Sequence, residues 1–296
     1  MSRKTRNTIN TFFRYTVLII VGFLMVYPLV WMVGASFKTN SEIFSNPGFI
    51  PRAPTLSGYK KGMAGYENMN FLHFMVNTYK FVIPKVLVTV VSAVITAYGF
   101  ARFEFPGKKA SFVILLSTLF LPQVVLNVPQ YVLFNQLGWL DTYLPLVIPS
   151  LLAGDTYFVY MLIQFLRGIP RELEEAAEID GCNVIQRLWY VIAPMLKPSI
   201  VSCALFQFMW SSNDFMGPLI YVNTVSKYPV SIFLRMSMDR IRGLSGIVCW
   251  QCRFWQLFQH LLCSSLPRVP LWTGLLLAGS RDRYIKTEKR KAGLRK

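Results

Sequence analysis

The feature that most constrains this chain is a series of long stretches without a charged side chain. Crossing the ~30 Å hydrocarbon core of a bilayer takes about 20 mostly apolar residues in a row. Val17 to Ala35 and Phe112 to Phe134 carry no charge, Tyr143 to Leu166 carries only Asp155, and Ser199 to Asn223 carries only Asp214. Val86 to Ala101 is shorter but uncharged. It extends back through Phe81 and Ile83 past Lys85, whose long stem can carry its ammonium to the interface. These five runs predict five spanning helices. Phe254 to Gly279 is apolar too, but His260, Arg268, Pro267 and Pro270 interrupt it. With 53% apolar and 15% charged residues among 296, and a mean hydropathy of +0.40, the composition is that of a polytopic membrane protein.

The first run follows Arg3, Lys4, Arg6 and Arg14, as a secretory signal would, but it is longer than the apolar core of a signal, so an uncleaved first helix is expected. Five cysteines include a single CxxC, Cys249 and Cys252, with no second pair or histidine at zinc spacing. Neither a disulfide framework nor a metal site follows, and single cysteines act as small apolar fillers in a helical bundle. A net charge of +17 raises nucleic acid as a partner. The basic residues, however, sit between hydrophobic runs instead of forming one patch interleaved with aromatics, so no nucleic-acid partner is expected.

Topology accounts for that charge. Short cytoplasmic loops collect Lys and Arg. The amino terminus, the turn after the second run (Arg102, Lys108, Lys109) and the segment after the fourth (Arg167, Arg171, Arg187, Lys197) fall on one side, whereas Asn135 to Thr142 has no basic residue. The amino terminus is therefore expected in the cytoplasm, and Ser36 to Lys80, rich in proline and glycine, outside. The basic stretch Arg281 to Lys296 then needs a sixth crossing to return to the cytoplasm. The expected fold is all-α: one polytopic bundle of six transmembrane helices, five clear and the sixth interrupted, with a helical cytoplasmic loop.

That loop, from Gly168, reads GIPRELEEAAEIDGCNVIQRLWYVIAPMLKPS. Local rules predict two short helices. Pro170 suits a first helical position, and Glu172, Glu174 and Glu175 place negative charge at the positive end of the helix dipole. Gly181 stops the helix. Leu173, Ala176, Ala177 and Asp180 share one face by their spacing, kept shallow by two alanines so that a partner can approach closely. A second helix, Val184 to Ile192, puts Val184 with Leu188, and Ile185 with Trp189 and Ile192, on an apolar side toward the bundle. Pro194 and Pro198 then end it and launch the fifth span. Spacing alone supports equally an amphipathic pair lying in the membrane interface.

A motif resemblance separates the two readings. Glu175, Ala176, Ala177, Gly181, Val191 and Pro194 resemble the EAA loop of binding-protein-dependent ABC permeases: a glutamate, two alanines, a glycine four residues on, and a hydrophobic-x-hydrophobic-Pro ending. Ala193 stands where the pattern usually has leucine, and Val191 where it usually has isoleucine. YPLVWMVGASFK (27–38), AYGFARFEFPGKK (97–109), IPRELEEAAEIDG (169–181) and NDFMGPLIYV (213–222) extend the resemblance to about Tyr228. They point to the sugar-importer branch that includes the smaller permease subunit of the maltose transporter.

The resemblance implies a permease of the cell (inner or cytoplasmic) membrane that forms half of a translocation path. Its partners would be two copies of an ATP-binding subunit, a second permease subunit and an external solute-binding protein. The helix Pro170 to Asp180 would dock on the ATP-binding subunit. Glu175 would anchor the contact, Ala176 and Ala177 would allow close approach, and Gly181 would permit the sharp turn, with Asp180, Val191 and Pro194 completing the docking loop. No cofactor is implied, and ATP hydrolysis would belong to the separate subunit. Asn213 and Asp214 match the family's Asn-Asp or Asn-Glu position and are candidates for the translocation path. Asp155 matches no motif position; it and Asp214 are intramembrane carboxylates, either functional or paired inside the bundle. Trp210, Asn213 and Tyr221 either line the path or pack between helices.

After about Arg240 the resemblance stops. Residues 1–240 read as the permease domain. Ile241 to Lys296 is an atypical segment holding Cys249, Cys252 and Cys263 and interrupting its apolar run with tryptophan, glutamine and arginine, in place of the expected sixth helix and tail. Two explanations fit that composition, a divergent tail or a shift of coding frame near that point, and the frame shift is the favoured one. Two other function classes fare less well. A self-sufficient secondary transporter or channel favours an inverted repeat and charged residues along a midplane pathway, which are weak here. A membrane enzyme needs a cluster of His, Cys or acidic residues, but the only histidines are His73 and His260. No GxxxxGK[ST], GxGxxG, HExxH or GxSxG pattern occurs in the chain.

Overall fold

The computed structural model describes residues 3–66 and 69–240. The helices in chain order are α1 (Arg3–Ala35), α2 (Asn40–Ser45), α3 (Ser57–Ala64), α4 (Phe71–Arg102), α5 (Lys108–Thr118), α6 (Gln123–Gln136), α7 (Leu144–Leu151) and α8 (Thr156–Arg167). There follow α9 (Glu172–Ile179), α10 (Val184–Gln186), a π-helical turn (Arg187–Ile192), α11 (Ala193–Asn213), α12 (Met216–Tyr221) and α13 (Val230–Arg240). No strand occurs among the described residues. Four helical stretches are long and apolar enough to cross a membrane: Thr11–Ala35, Phe71–Arg102, Leu144–Arg167 and Val184–Asn213. The sixth span, the CxxC pair and the atypical segment 241–296 with its frame shift lie outside the described residues.

Where the sequence suggests one helix over Phe112 to Phe134, the chain forms two, α5 and α6, bent by 101°. The cause is local. Leu121 precedes Pro122, which disfavours helical backbone before it, and the Ser117 and Thr118 hydroxyls bond back to the carbonyls of Val113 and Leu115. Leu144–Arg167 is also interrupted. Between α7 and α8 the chain turns through Ala153, whose φ is +57°, and the Ala153 N–H donates to Ser92 Oγ (2.9 Å). The start of α4 at Phe71 places residues 71–80 in a helix, where the sequence suggests external loop.

Pro194 and Pro198 do not end a helix. Val184–Asn213 is continuous, because the π turn before Pro194 widens the backbone, the Ala193 N–H reaching Leu188 O instead of the usual fourth carbonyl back. Widening there relieves the clash that a proline ring makes with the preceding turn. The fifth span ends at Asn213, short of the expected Asn223.

Two compact units are present, 3–74 with 232–240, and 75–231. In the first, the loop after α1 is tied down by the buried Lys38, which donates to Asn46 O (2.8 Å) and to Gly48 O, and by the Arg52 N–H on Glu42 Oε1 (2.6 Å). Phe74 stacks on Phe233 with centroids 4.5 Å apart. In the second, Ala93, Ala97 and Ala101 make a small-residue stripe on α4 that admits Phe158, Leu162, Ile163 and Leu166 of α8, and Leu188, Ile192, Leu196 and Cys203 close the cluster from the long helix. The turn at Asp141 is fixed by Lys227 Nζ (2.6 Å), Thr224 Oγ1 (2.7 Å) and the Asn223 and Thr224 N–H groups. The Lys227 ammonium and the Thr224 donors hold the Asp141 carboxyl well below the usual carboxylate range.

Candidate functional site

The loop 168–198 contains the residues that the EAA resemblance singles out. Its first helix, α9, begins at Glu172, with Pro170 standing just outside it. Three glutamates lie in its first turn, at the positive end of the helix dipole. The helix stops at Gly181, whose φ of +85° is left-handed. Asn183 then starts the next helix with a reciprocal cap: its side chain accepts from the Gln186 N–H (2.9 Å), while Gln186 Oε1 accepts from the Asn183 N–H (2.8 Å).

The faces of α9 differ from the spacing-based expectation. Leu173, Ala176, Ala177 and Asp180 do not form one outward face. Ala177 is buried, 8% exposed, beside the buried Glu174, so the bundle takes the 174/177 side of the helix. Leu173, Ala176 and Ile179 point outward with Glu172 and Glu175, and Ile179 is 87% exposed. In the second helix Leu188 and Ile192 are buried toward the bundle as expected, whereas Ile185 and Trp189 are exposed. Val191 is half-buried, and Pro194 and Asp180 are exposed.

Glu174 is the residue that reading by motif missed. Its Oε1 lies 2.5 Å from Arg102 Nε, both side chains being at most a tenth exposed, and its Oε2 accepts a hydrogen bond from Tyr98 Oη (2.9 Å). Arg102 also donates through Nη2 to Ile169 O (3.0 Å). Tyr98 and Arg102 belong to the AYGFARFEFPGKK stretch, whose structural task is thus to receive α9. At the other end of α9, Arg187 pairs with Glu178. Ion pairs therefore tie α9 to α4 and to the long helix 184–213. A cleft of about 600 Å³ opens beside it, lined by Arg102, Arg167, Arg171, Glu172 and Glu175 among others.

The residues named for the translocation path are dispersed. Asn213 is exposed and its Nδ2 bonds to Met209 O on its own helix (2.9 Å). Asp214 Oδ1 accepts from the Gly217 N–H (3.0 Å), capping α12, and Ser231 Oγ donates to Asp214 O (2.7 Å). Tyr221 is buried against Phe134, with Oη donating to Gln130 Oε1 (3.3 Å). Asp155, by contrast, is paired across helices with Thr89 and Gln207.

Residues 89–239 match the family described as the binding-protein-dependent transport system inner membrane component. The galactooligosaccharides transport system permease protein GanQ of Bacillus subtilis is 28% identical over 242 residues, spanning 82% of this chain and 85% of GanQ. Protein LplC of Bacillus subtilis is 31% identical over 217 residues, spanning 73% of this chain and 71% of LplC. Among solved structures, a chain of a bacterial ABC transporter involved in the import of the acidic polysaccharide alginate superposes with a TM-score of 0.68 and 18% identity, covering 96% of this chain and 98% of that chain. That likeness is one of fold.

Proposed function

This chain belongs to the family of binding-protein-dependent transport system inner membrane components, and on that premise we propose that it is the membrane-spanning subunit of an ATP-driven carbohydrate importer. It sits in the cell membrane with its amino terminus and α9 in the cytoplasm, pairs with a second permease subunit, receives solute from an external binding protein, and leaves ATP hydrolysis to a separate subunit. The observation that carries the reading is α9 itself. This short helix presents Leu173, Ala176 and Ile179 outward between Glu172 and Glu175, while Glu174 and Glu178 tie it to two spanning helices. An apolar, solvent-exposed stripe of that kind offers a partner a surface on which to dock. A helix held at both ends by ion pairs moves with the bundle as a lever.

In this mechanism the ATP-binding subunit grips the outer stripe of α9, where Ala176 allows close approach and Glu175 supplies a charged contact. Closure of two such subunits displaces α9, and the displacement passes through Glu174 to Arg102 and α4, and through Arg187 to the long helix. Asp180, Gly181, Val191 and Pro194 keep the loop in shape, through the left-handed turn and the π-widened entry to α11. The carbohydrate assignment draws on the relative GanQ and on the sugar-importer resemblance of the four motif stretches. Purifying the chain from its native membrane tests the whole: an ATP-binding subunit and a second permease copurify, and uptake of a neutral oligosaccharide into vesicles requires ATP. Recovery of uptake from the chain alone, without ATP, would establish the self-sufficient transporter instead.

A further inference from the structure

A second polar cluster lies far from the loop, in the middle of unit 75–231. Asp155 Oδ2 accepts from Thr89 Oγ1 (2.8 Å) and Gln207 Nε2 (3.1 Å), and Gln207 Nε2 also reaches Thr89 Oγ1 (3.1 Å). Thr89 and Gln207 are each 1% exposed, whereas Asp155 is only half-buried. Its Oδ1 has no partner among the described residues. Depth follows from helix geometry. Asp155 precedes the 12-residue α8, so it stands ~18 Å from the Arg167 end, and Thr89 stands ~20 Å from Arg102 on α4. Both counts put the cluster near the middle of a ~30 Å core.

The backbone around Asp155 argues against a lipid-facing position. Between α7 and α8 the chain is irregular, Leu152 is 81% exposed, and the start of α8 has no side-chain cap. Alongside, Thr118 and Thr156 hydroxyls are 3.0 Å apart, which brings the break between α5 and α6 to the same place. Uncapped, irregular backbone at that depth is stable only against protein or a water-filled cavity, because lipid offers no hydrogen bonds. Two aromatic rings stand at the break. Tyr157 and Trp210 have centroids 5.1 Å apart and are 43% and 52% exposed, and Trp210 lies one helical turn beyond Gln207.

We propose that Asp155, Tyr157 and Trp210 form a carbohydrate-binding subsite in the translocation path, with Thr89 and Gln207 holding the carboxylate in place. Sugar hydroxyls donate to the open Asp155 oxygen, a charge-assisted bond, and the C–H face of a pyranose lies on the aromatic platform. The inference rests on the carbohydrate reading above.

Uptake of radiolabelled maltotriose, galactobiose and diacetylchitobiose into vesicles carrying the complete transporter tests it, with copurification of the ATP-binding subunit as the control for assembly. For whichever sugar the wild type takes up, Trp210→Leu lowers uptake roughly tenfold at subsaturating concentration, the scale of one good aromatic contact. Trp210→Phe stays within about twofold of wild type, because it keeps a ring. Asp155→Asn, which keeps an acceptor but not its charge, falls between. Assembly is unchanged in all three. Wild-type uptake in Trp210→Leu and Asp155→Asn, or equal losses for the Leu and Phe variants, would overturn the subsite. Failure of the wild type to take up any of the three sugars would overturn the carbohydrate reading itself, and the subsite with it.

Discussion

The loop at α9 and the cluster at Asp155 both join α4 to later helices through a carboxylate, yet they are built on opposite terms. At α9 the carboxylates meet arginines: the buried Glu174 with Arg102, and the exposed Glu178 with Arg187. Charge is neutralised there, and the Glu174 carboxylate uses both oxygens. At Asp155 the donors are neutral, a hydroxyl and an amide, and they occupy a single oxygen. The first arrangement suits transmission of force, since displacing either partner uncovers a charge. The second leaves an acceptor for something that comes and goes.

Removing one partner at a time widens that contrast most. Glu174→Ala or Arg102→Ala leaves a buried charge unpaired and is expected to lower stability by about 3–5 kcal/mol, read as a large fall in the thermal midpoint of the detergent-solubilised chain and in transport. A loss no greater than that of a surface pair, roughly 0–1 kcal/mol, would show that α9 is not fastened there. Ala177→Leu comes next. Its methyl already faces the bundle at 8% exposure, so overpacking costs about 1–3 kcal/mol, whereas Ala176→Leu on the outer face leaves the thermal midpoint unchanged and impairs only copurification of the ATP-binding subunit. Equal behaviour of the two alanines would refute the assignment of faces. Gly181→Ala follows at about 1–2 kcal/mol from its left-handed φ alone, since no atom lies within 4 Å of the added carbon. Gly181→Asn should be milder, and equal midpoints for both would argue against backbone strain. Smallest of all is Thr89→Val, which removes one donor to Asp155 and should cost about 0.6 kcal/mol by membrane hydrogen-bond measurements. A drop as large as that of Glu174→Ala would erase the distinction between the two clusters.

The sequence made the spanning runs legible because lack of charge over 20 residues has few other meanings in a chain of this composition. The loop was legible through its motif. What could not be read was which alanine faces in: Ala176 and Ala177 are adjacent and alike, and only the pairing of Glu174 with Arg102, 72 positions earlier in the chain, fixes the rotation of α9. Spacing placed Leu188 and Ile192 correctly toward the bundle, but Ile185 and Trp189, grouped with them, are exposed, since apolar character alone does not tell a covered side chain from an exposed one. The breaks in the third and fourth spans were hidden for another reason. Pro122, Ala153 and Gly154 do not lower hydropathy enough to interrupt an apolar run, though they interrupt the helix. Asp155 was visible as a charge out of place, and its partners Thr89 and Gln207 were not, being ordinary polar residues on helices distant in sequence.

The proposed mechanism stands on the outer stripe of α9 as the seat of an ATP-binding subunit. Ile179→Asp tests it most directly, since Ile179 is 87% exposed and a charge there costs the isolated chain almost nothing. Purified from its native membrane, the variant is predicted to remain in the membrane at wild-type abundance, to retain its second permease subunit, and to lose the ATP-binding subunit together with ATP-dependent uptake. Copurification and uptake at wild-type levels would show that the ATP-binding subunit does not seat on this stripe.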